Sequence, residues 1–271
     1  MDNQQTGNVN FNESFLITGK DLVLGKNLVV KHPTLGEIFD LGNNLYYEDA
    51  YWSFVQVLTS DPYNSMVELD DDGIDYVTMQ PFDLFIYHFK KYSKDKKSNF
   101  FPIMLDAIHF FLGMNYLIPI YLDDIKDYVL VDNCNLDENK QLNLKVLITR
   151  QHFNVIVSFI KAINKISDED QIKPATVSLR KMLVQDKREE IQIRLRHPDE
   201  NNDYIGKLIS ATCFGSHCFS IMDLDKIKIY WLFEALHIAN NKDYTDHLLN
   251  GMYFGTVDSS KINKEELNWI K

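Results

Sequence analysis

The sequence predicts a mainly α protein of the α+β class: a multi-helix bundle with a small β-meander insertion and short N-terminal strands. Two observations support this class. Apolar residues recur at three- and four-residue spacing over most of the chain, which is the period of one helix face. Short β-branched and aromatic runs, separated by polar turns, interrupt that pattern near residues 22–30 and 116–148. A hydrophobic fraction of 45% is ample for a packed core.

The chain divides into three predicted regions. Residues 1–14 begin with a run rich in Asn and Gln, lack a signal-peptide pattern, and are interpreted as a flexible tail. Residues 15–166 are predicted to form an N-terminal helical domain that carries the β insertion at about 116–148. The polar stretch Ser167–Lys173 marks the internal boundary, and residues 167–271 are predicted to form a C-terminal helical region.

The N-terminal domain is expected to contain two short strands, Leu22–Leu24 and Leu28–Val30, followed by amphipathic helices. The clearest helix has an apolar stripe from Tyr47 to Leu58. Three later elements each show a start signal or an apolar run. They are a short helix opening at Asp61-Pro62 and ending before Gly73, one opening near Thr78–Pro81, and Phe100–Leu112.

The β insertion and the C-terminal region complete the predicted fold. The meander strands are Tyr116–Leu122, Tyr128–Val131 and Leu142–Ile148, and Thr149 is a candidate cap for the helix that follows. The expected C-terminal helices are Thr176–Gln192, Asp203–Cys213, Asp223–Asn240, Asp243–Phe254 and Lys264–Ile270, the last one capped by Asn263.

Charge and composition argue against nucleic-acid and membrane partners. The formal net charge is -11, and the longest basic stretch, Lys90–Lys97, is interrupted by Asp95. Nucleic-acid binding depends on concentrated Lys and Arg that displace counterions from phosphates. The most apolar region, Phe100–Leu122, is broken by proline and polar residues, so no membrane span is predicted. Three cysteines, an odd and sparse set, favour a reducing cytoplasm over a disulfide framework.

Two constellations invite a metal interpretation, and neither satisfies it. The acidic run Asp70–Asp75 resembles a calcium loop, but placing Gly73 sixth puts Met79 at the twelfth position, where a bidentate Glu is required. Cys213, His217 and Cys218 supply three zinc ligands without the paired spacing of a structural site. There is also no phosphate-binding glycine loop. We therefore predict no enzyme activity, no metal site and no cofactor.

Trp52 is a candidate partner-binding residue in the aromatic helix. It lies off the apolar stripe, beside Glu48 and Asp49, so an exposed position would suit an interface anchor. The alternative is that a second layer of helices covers it, since large aromatic side chains are mostly buried.

Several dispersed stretches together resemble the tail assembly chaperone-like proteins of phages and prophages of Gram-positive bacteria. They lie in the same order along most of the chain, and the C-terminal stretch is the most specific. They are His32–Ile38 with the aromatic helix Tyr46–Leu58, Gly73–Tyr76 with Phe82–Phe85, the strand-then-helix step Leu142–Ile163, and the close formed by Leu248–Tyr253, Gly255–Asp258, Lys261–Asn263 and Leu267–Trp269.

The resemblance implies a non-enzymatic protein of the host bacterial cytoplasm. Its implied partners are the phage tape-measure protein and, as a second partner, the tail-tube protein, and self-association is compatible with it. A different class of function is a structural virion component, such as a baseplate, connector or tail-completion protein. A third is a metal-dependent enzyme or regulator built on Cys213, His217 and Cys218.

The C-terminal segment is the second candidate partner-binding surface. Residues 263–271 are too short to form a stable helix alone in water, so the segment must dock on its own chain or on a partner. Four apolar side chains give it a docking surface, with Trp269 as the natural anchor. They are Ile262, Leu267, Trp269 and Ile270.

Overall fold

The chain is described by a computed structural model covering residues 10–44, 46–115, 117–132, 146–167, 174–196 and 203–258, together with residues 262, 263 and 267. Helices dominate this part of the chain, which confirms the predicted mainly α class. The helices are α1 Glu13–Ile17, α2 Leu35–Phe39, α3 Tyr47–Thr59, α4 Met66–Asp71, α5 Pro81–Tyr92, α6 Phe100–Leu112, α7 Arg150–Ile163, α8 Val177–Arg196, α9 Tyr204–Ser210 and α10 Ile229–Tyr253.

Two small antiparallel sheets interrupt the helices where the sequence predicts them. The strands β1 Leu22–Gly25 and β2 Leu28–Val30 form a hairpin. The second sheet has the order β3-β4-β5, with β3 Leu117–Leu122, β4 Asp127–Asp132 and β5 Leu147–Ile148. Consecutive antiparallel neighbours make this sheet the predicted meander, although residues 133–145 lie outside the described part of the chain.

The main core lies where α3 packs against α6 and α7, and α5 packs beside both of those helices. Tyr51 is fully buried there, and its hydroxyl donates a hydrogen bond of 2.7 Å to Oδ1 of Asn164. The Asn164 amide in turn donates to the carbonyl oxygen of Ile160 at 2.9 Å. Because an unmade buried hydrogen bond is costly, this satisfied pair fixes how α3 and α7 are aligned.

The start of α7 confirms the predicted cap. The Thr149 hydroxyl accepts a hydrogen bond from the His152 amide, and the His152 ring accepts one from the Thr149 amide, which is a reciprocal capping box. The cap places Arg150 at the first helical position, facing α5 and β4.

A second, smaller core joins α4, α5 and α8. Its buried members are Leu69, Tyr76, Leu84 and Val184, which lie apart from the main cluster. Leu69 of α4 and Val184 of α8 both belong to this core, which joins the two helices. Helix α8 is therefore positioned by its contact with α4.

Several element boundaries differ from those that the sequence predicts. The helix expected to open at Asp61-Pro62 begins at Met66, because the Asp61 carboxylate accepts the Tyr63 amide and forms a turn instead. The two helices expected over Asp223–Asn240 and Asp243–Phe254 are a 3-10 helix, Ile221–Lys226, followed by the continuous α10. Nothing in the Asn240–Asp243 run breaks a helix as Gly or Pro would.

The packed structure also begins before residue 15, where the sequence analysis places the end of the tail. Asn12 caps α1, and the ring of Phe11 packs edge-on against Phe159 with centroids 5.3 Å apart. Residues 1–9 lie outside the described part of the chain. Helix α8 also differs from the prediction at its C-terminal end, which lies four residues beyond the predicted Gln192, at Arg196.

In the ranges described, no helix combines the length and the apolar character that crossing a lipid bilayer requires.

Candidate interaction surface

The acidic run of the sequence is a helix end held by cations. Gly73, at φ +70°, ends α4, and the amide of Ile74 donates to the carbonyl of Leu69 at 2.8 Å. This is the glycine-closed helix end that the sequence analysis preferred to a calcium loop. Cationic side chains of two helices pair with these carboxylates. Lys91 of α5 pairs with Asp72, and Arg188 of α8 pairs with Asp71.

The cysteine cluster divides between the interior and the surface. Cys213 is buried in a π-helical turn, Ala211–Gly215, whereas Cys218 is exposed with its sulfur 3.1 Å from the Ser216 hydroxyl. Across the described ranges, His, Cys, Asp and Glu form no group of three or more that could hold a metal ion. Cys134 lies outside those ranges.

Replacing both Cys213 and Cys218 with Ser is expected to leave the metal content unchanged. It should lower stability by about 1 kcal/mol, because a buried sulfur is exchanged for a hydroxyl that needs a hydrogen bond. Elemental analysis of protein purified without chelator, together with thermal unfolding, makes the comparison. Stoichiometric zinc that disappears in the double variant would contradict the prediction.

Trp52 is covered by another helix. Its ring lies 5.4 Å from that of Tyr51 and 6.5 Å from that of Tyr204, and its indole N–H donates to Glu48 at 3.4 Å. Glu48 also accepts the Tyr204 amide at 2.8 Å, which ties α9 down over the aromatic helix. Of the two alternatives that the sequence leaves open, the structure shows Trp52 half-buried under α9, and its role in binding a partner stays a prediction.

The structure describes only some residues of the predicted C-terminal binding surface. Ile262 and Leu267 are both half-buried, so these two side chains make contacts within their own chain. Trp269 and Ile270 lie outside the described residues. The hypothesis that this segment holds a partner therefore stays a prediction.

The end of α10, defined here as Leu249, Tyr253 and Phe254, exposes large apolar side chains. Tyr253 is 86% exposed, Phe254 75% and Leu249 46%, and the two aromatic rings stand edge to face at 5.4 Å. Gly255, at φ +72°, closes the helix, with the Thr256 amide donating to the Gly251 carbonyl at 2.9 Å. The glycine-closed helix end thus carries both aromatic rings on the surface of the chain.

Helix α8 presents a second set of exposed apolar side chains that the sequence analysis does not single out. Its exposed members are Val177, Met182, Ile191, Ile193 and Leu195. They are hard to recognise because the helix is strongly charged and its apolar residues are spread around its circumference.

These features define the chain as a mainly helical protein with exposed apolar helix surfaces. Comparison with protein-family models, with curated proteins and with solved structures finds no significant match to this chain.

Proposed function

We propose that this chain is a non-enzymatic phage tail assembly chaperone that binds the tape-measure protein during tail morphogenesis. The observation that carries the proposal is the end of α10, where Leu249, Tyr253 and Phe254 are exposed beside the C-terminal stretch that most resembles such chaperones. Large exposed apolar side chains grouped on one surface mark sites of protein contact.

The exposed apolar side chains and the negative charge of this chain suit a tape-measure protein as its partner. A tape-measure protein is a long helical chain whose apolar stripes would otherwise associate with one another. Exposed apolar side chains at the end of α10 can cover such stripes in the manner of a helix docked on a helix. The formal net charge of -11 keeps the resulting complex soluble. The tail-tube protein, which polymerises around the tape measure, is a second proposed partner in the host cytoplasm.

Co-expression with a phage tape-measure chain is expected to raise the soluble fraction of that chain. Replacing Tyr253 and Phe254 with Ser should reduce the recovered complex, because exposed aromatic anchors carry much of an interface energy. Tyr46→Ser is the matched control, since Tyr46 is likewise exposed but lies at the start of α3. Pull-down of a tagged chain, with thermal unfolding of each variant, gives both readouts.

Mass spectrometry of purified virions separates this proposal from a structural role. A chaperone is expected to be absent from finished particles. Recovery of the chain at fixed stoichiometry in the particle would contradict the proposal and favour a baseplate, connector or tail-completion protein.

A further inference from the structure

Helix α8 is much longer than the helix on which it rests. It has 20 residues and α4 has 6, so at 1.5 Å per residue α8 extends about 30 Å and α4 about 9 Å. The ion pairs that hold α8 involve Arg180 and Arg188, so about the last two turns of α8 extend beyond the supported part.

One face of α8 makes the contact with α4. Val184 is 3% exposed and packs in the same core as Leu69. Arg180 and Arg188, one turn to either side of Val184, pair with Asp75 and Asp71. This face of α8 thus combines the apolar Val184 with the basic Arg180 and Arg188. The surface that it contacts combines the apolar Leu69 with the acidic Asp71 and Asp75.

The same face continues past α4, where its residues are exposed. Ile191 and Leu195 lie seven and eleven residues after Val184, so they fall on its side of the helix. All eight residues from Glu189 to Arg196 are exposed, and Leu195 is 77% exposed. Exposed large apolar side chains in a row along one helix face mark a site of protein contact.

The charges around this face resemble those at the α4 contact. Arg188 and Arg194 lie beside the Ile191–Leu195 row, whereas Glu189 and Glu190 lie toward the opposite side. Lys187 and Arg194 both form ion pairs with the Glu190 carboxylate on the surface of the helix. Helix α8 as a whole holds six basic and three acidic residues in a chain of net charge -11.

We propose that the Ile191–Leu195 face of α8 binds an amphipathic helix of the tape-measure chain that carries acidic residues beside its apolar row. The bound helix extends the α4–α8 contact, with Ile191 and Leu195 meeting its apolar side chains and the exposed Arg194 meeting its carboxylates. The inference rests on the proposed function and names the surface and the charge of the partner.

The test compares two double variants that each add two negative charges to exposed positions of α8. Ile191→Glu with Leu195→Glu places them on the proposed face, and Met182→Glu with Ile193→Glu places them on the opposite side. The probe is the tape-measure chain, co-expressed and pulled down. The first pair should lower recovered complex at least about tenfold, because apolar anchors are lost and like charges are opposed, while the second should change it less than about twofold. Melting temperatures should be unchanged in both, since all four side chains are exposed.

Each outcome has a distinct meaning. If the wild-type chain does not solubilise the tape measure, the proposed function fails. If it does, and both double variants bind as well as the wild type, the proposed function stands and this surface is wrong. Light scattering tests the competing occupant: a wild-type dimer that becomes monomeric in the Ile191→Glu, Leu195→Glu variant would assign the face to a second copy and overturn the proposal.

Discussion

Replacing Arg150 with Ala is expected to lower the free energy of unfolding by about 2 kcal/mol. Its guanidinium donates two hydrogen bonds of 2.8 Å to Asp83 of α5, and bonds of 2.7 and 2.9 Å to Asp127 of β4. It also lies 4.9 Å from the ring centre of Phe82. The Arg150 hydrogen bonds hold the pKa of Asp127 below its usual range, so removing the guanidinium leaves two carboxylates without their shared cation.

Urea unfolding of Arg150→Ala, Arg150→Lys and a control variant measures this effect. Lysine keeps the charge but lacks the planar fork that serves two carboxylates at once, so Arg150→Lys should recover less than half of the loss. Arg194→Ala is the control, because Arg194 pairs with Glu190 on an exposed helix surface and should cost less than about 0.5 kcal/mol. Equal stabilities for Arg150→Ala and Arg194→Ala would show that the α5–β4–α7 contact is not held by Arg150.

The amphipathic helices and the hairpins could be predicted because their signals are local. Thr149 marks the start of α7 as a capping residue, and the α6 residues Phe100–Leu112 are mostly apolar. The length of α10 could not be predicted in the same way. Its polar middle, Asn240–Asp243, has the composition of a loop, yet continuing a helix through such residues costs only tenths of a kcal/mol each.

The interaction surfaces were less accessible to sequence reasoning because they depend on distant parts of the chain. Trp52 is covered by Tyr204, which lies 152 positions further along, and no local pattern predicts that contact. The exposed end of α8 is defined by where α4 ends, which is also a tertiary fact. Conversely, the absence of paired ligand spacing around Cys213 and Cys218 could be read directly from the sequence.

His32 is a buried ionisable side chain at the junction of α7 and α10. It is fully buried, its ring lies 6.0 Å from that of Phe159 and 6.4 Å from that of Tyr230, and its amide donates to Asp21 at 2.8 Å. Burial, reinforced by the nearby Lys228 charge and opposed by Asp21, lowers the pKa of His32 to about 4.

The free energy of unfolding is therefore expected to fall as the pH drops from about 6.5 toward 4. In that window the unfolded chain binds a proton at His32 and the folded chain does not, so acid favours unfolding by up to about 3 kcal/mol. His32→Leu, which has no titrating ring at this position, should lose much less stability between pH 6.5 and 4.5.

Carboxylates affect the stability at lower pH. Despite burial, hydrogen bonds from His88, Lys91 and Tyr92 lower the pKa of Glu68 to about 2. The stability that Glu68 contributes is therefore lost below about pH 4.5 in both proteins. Urea unfolding at half-unit pH intervals makes the comparison. Parallel curves for the wild type and His32→Leu above pH 4.5 would show that His32 takes up its proton equally well in the folded chain.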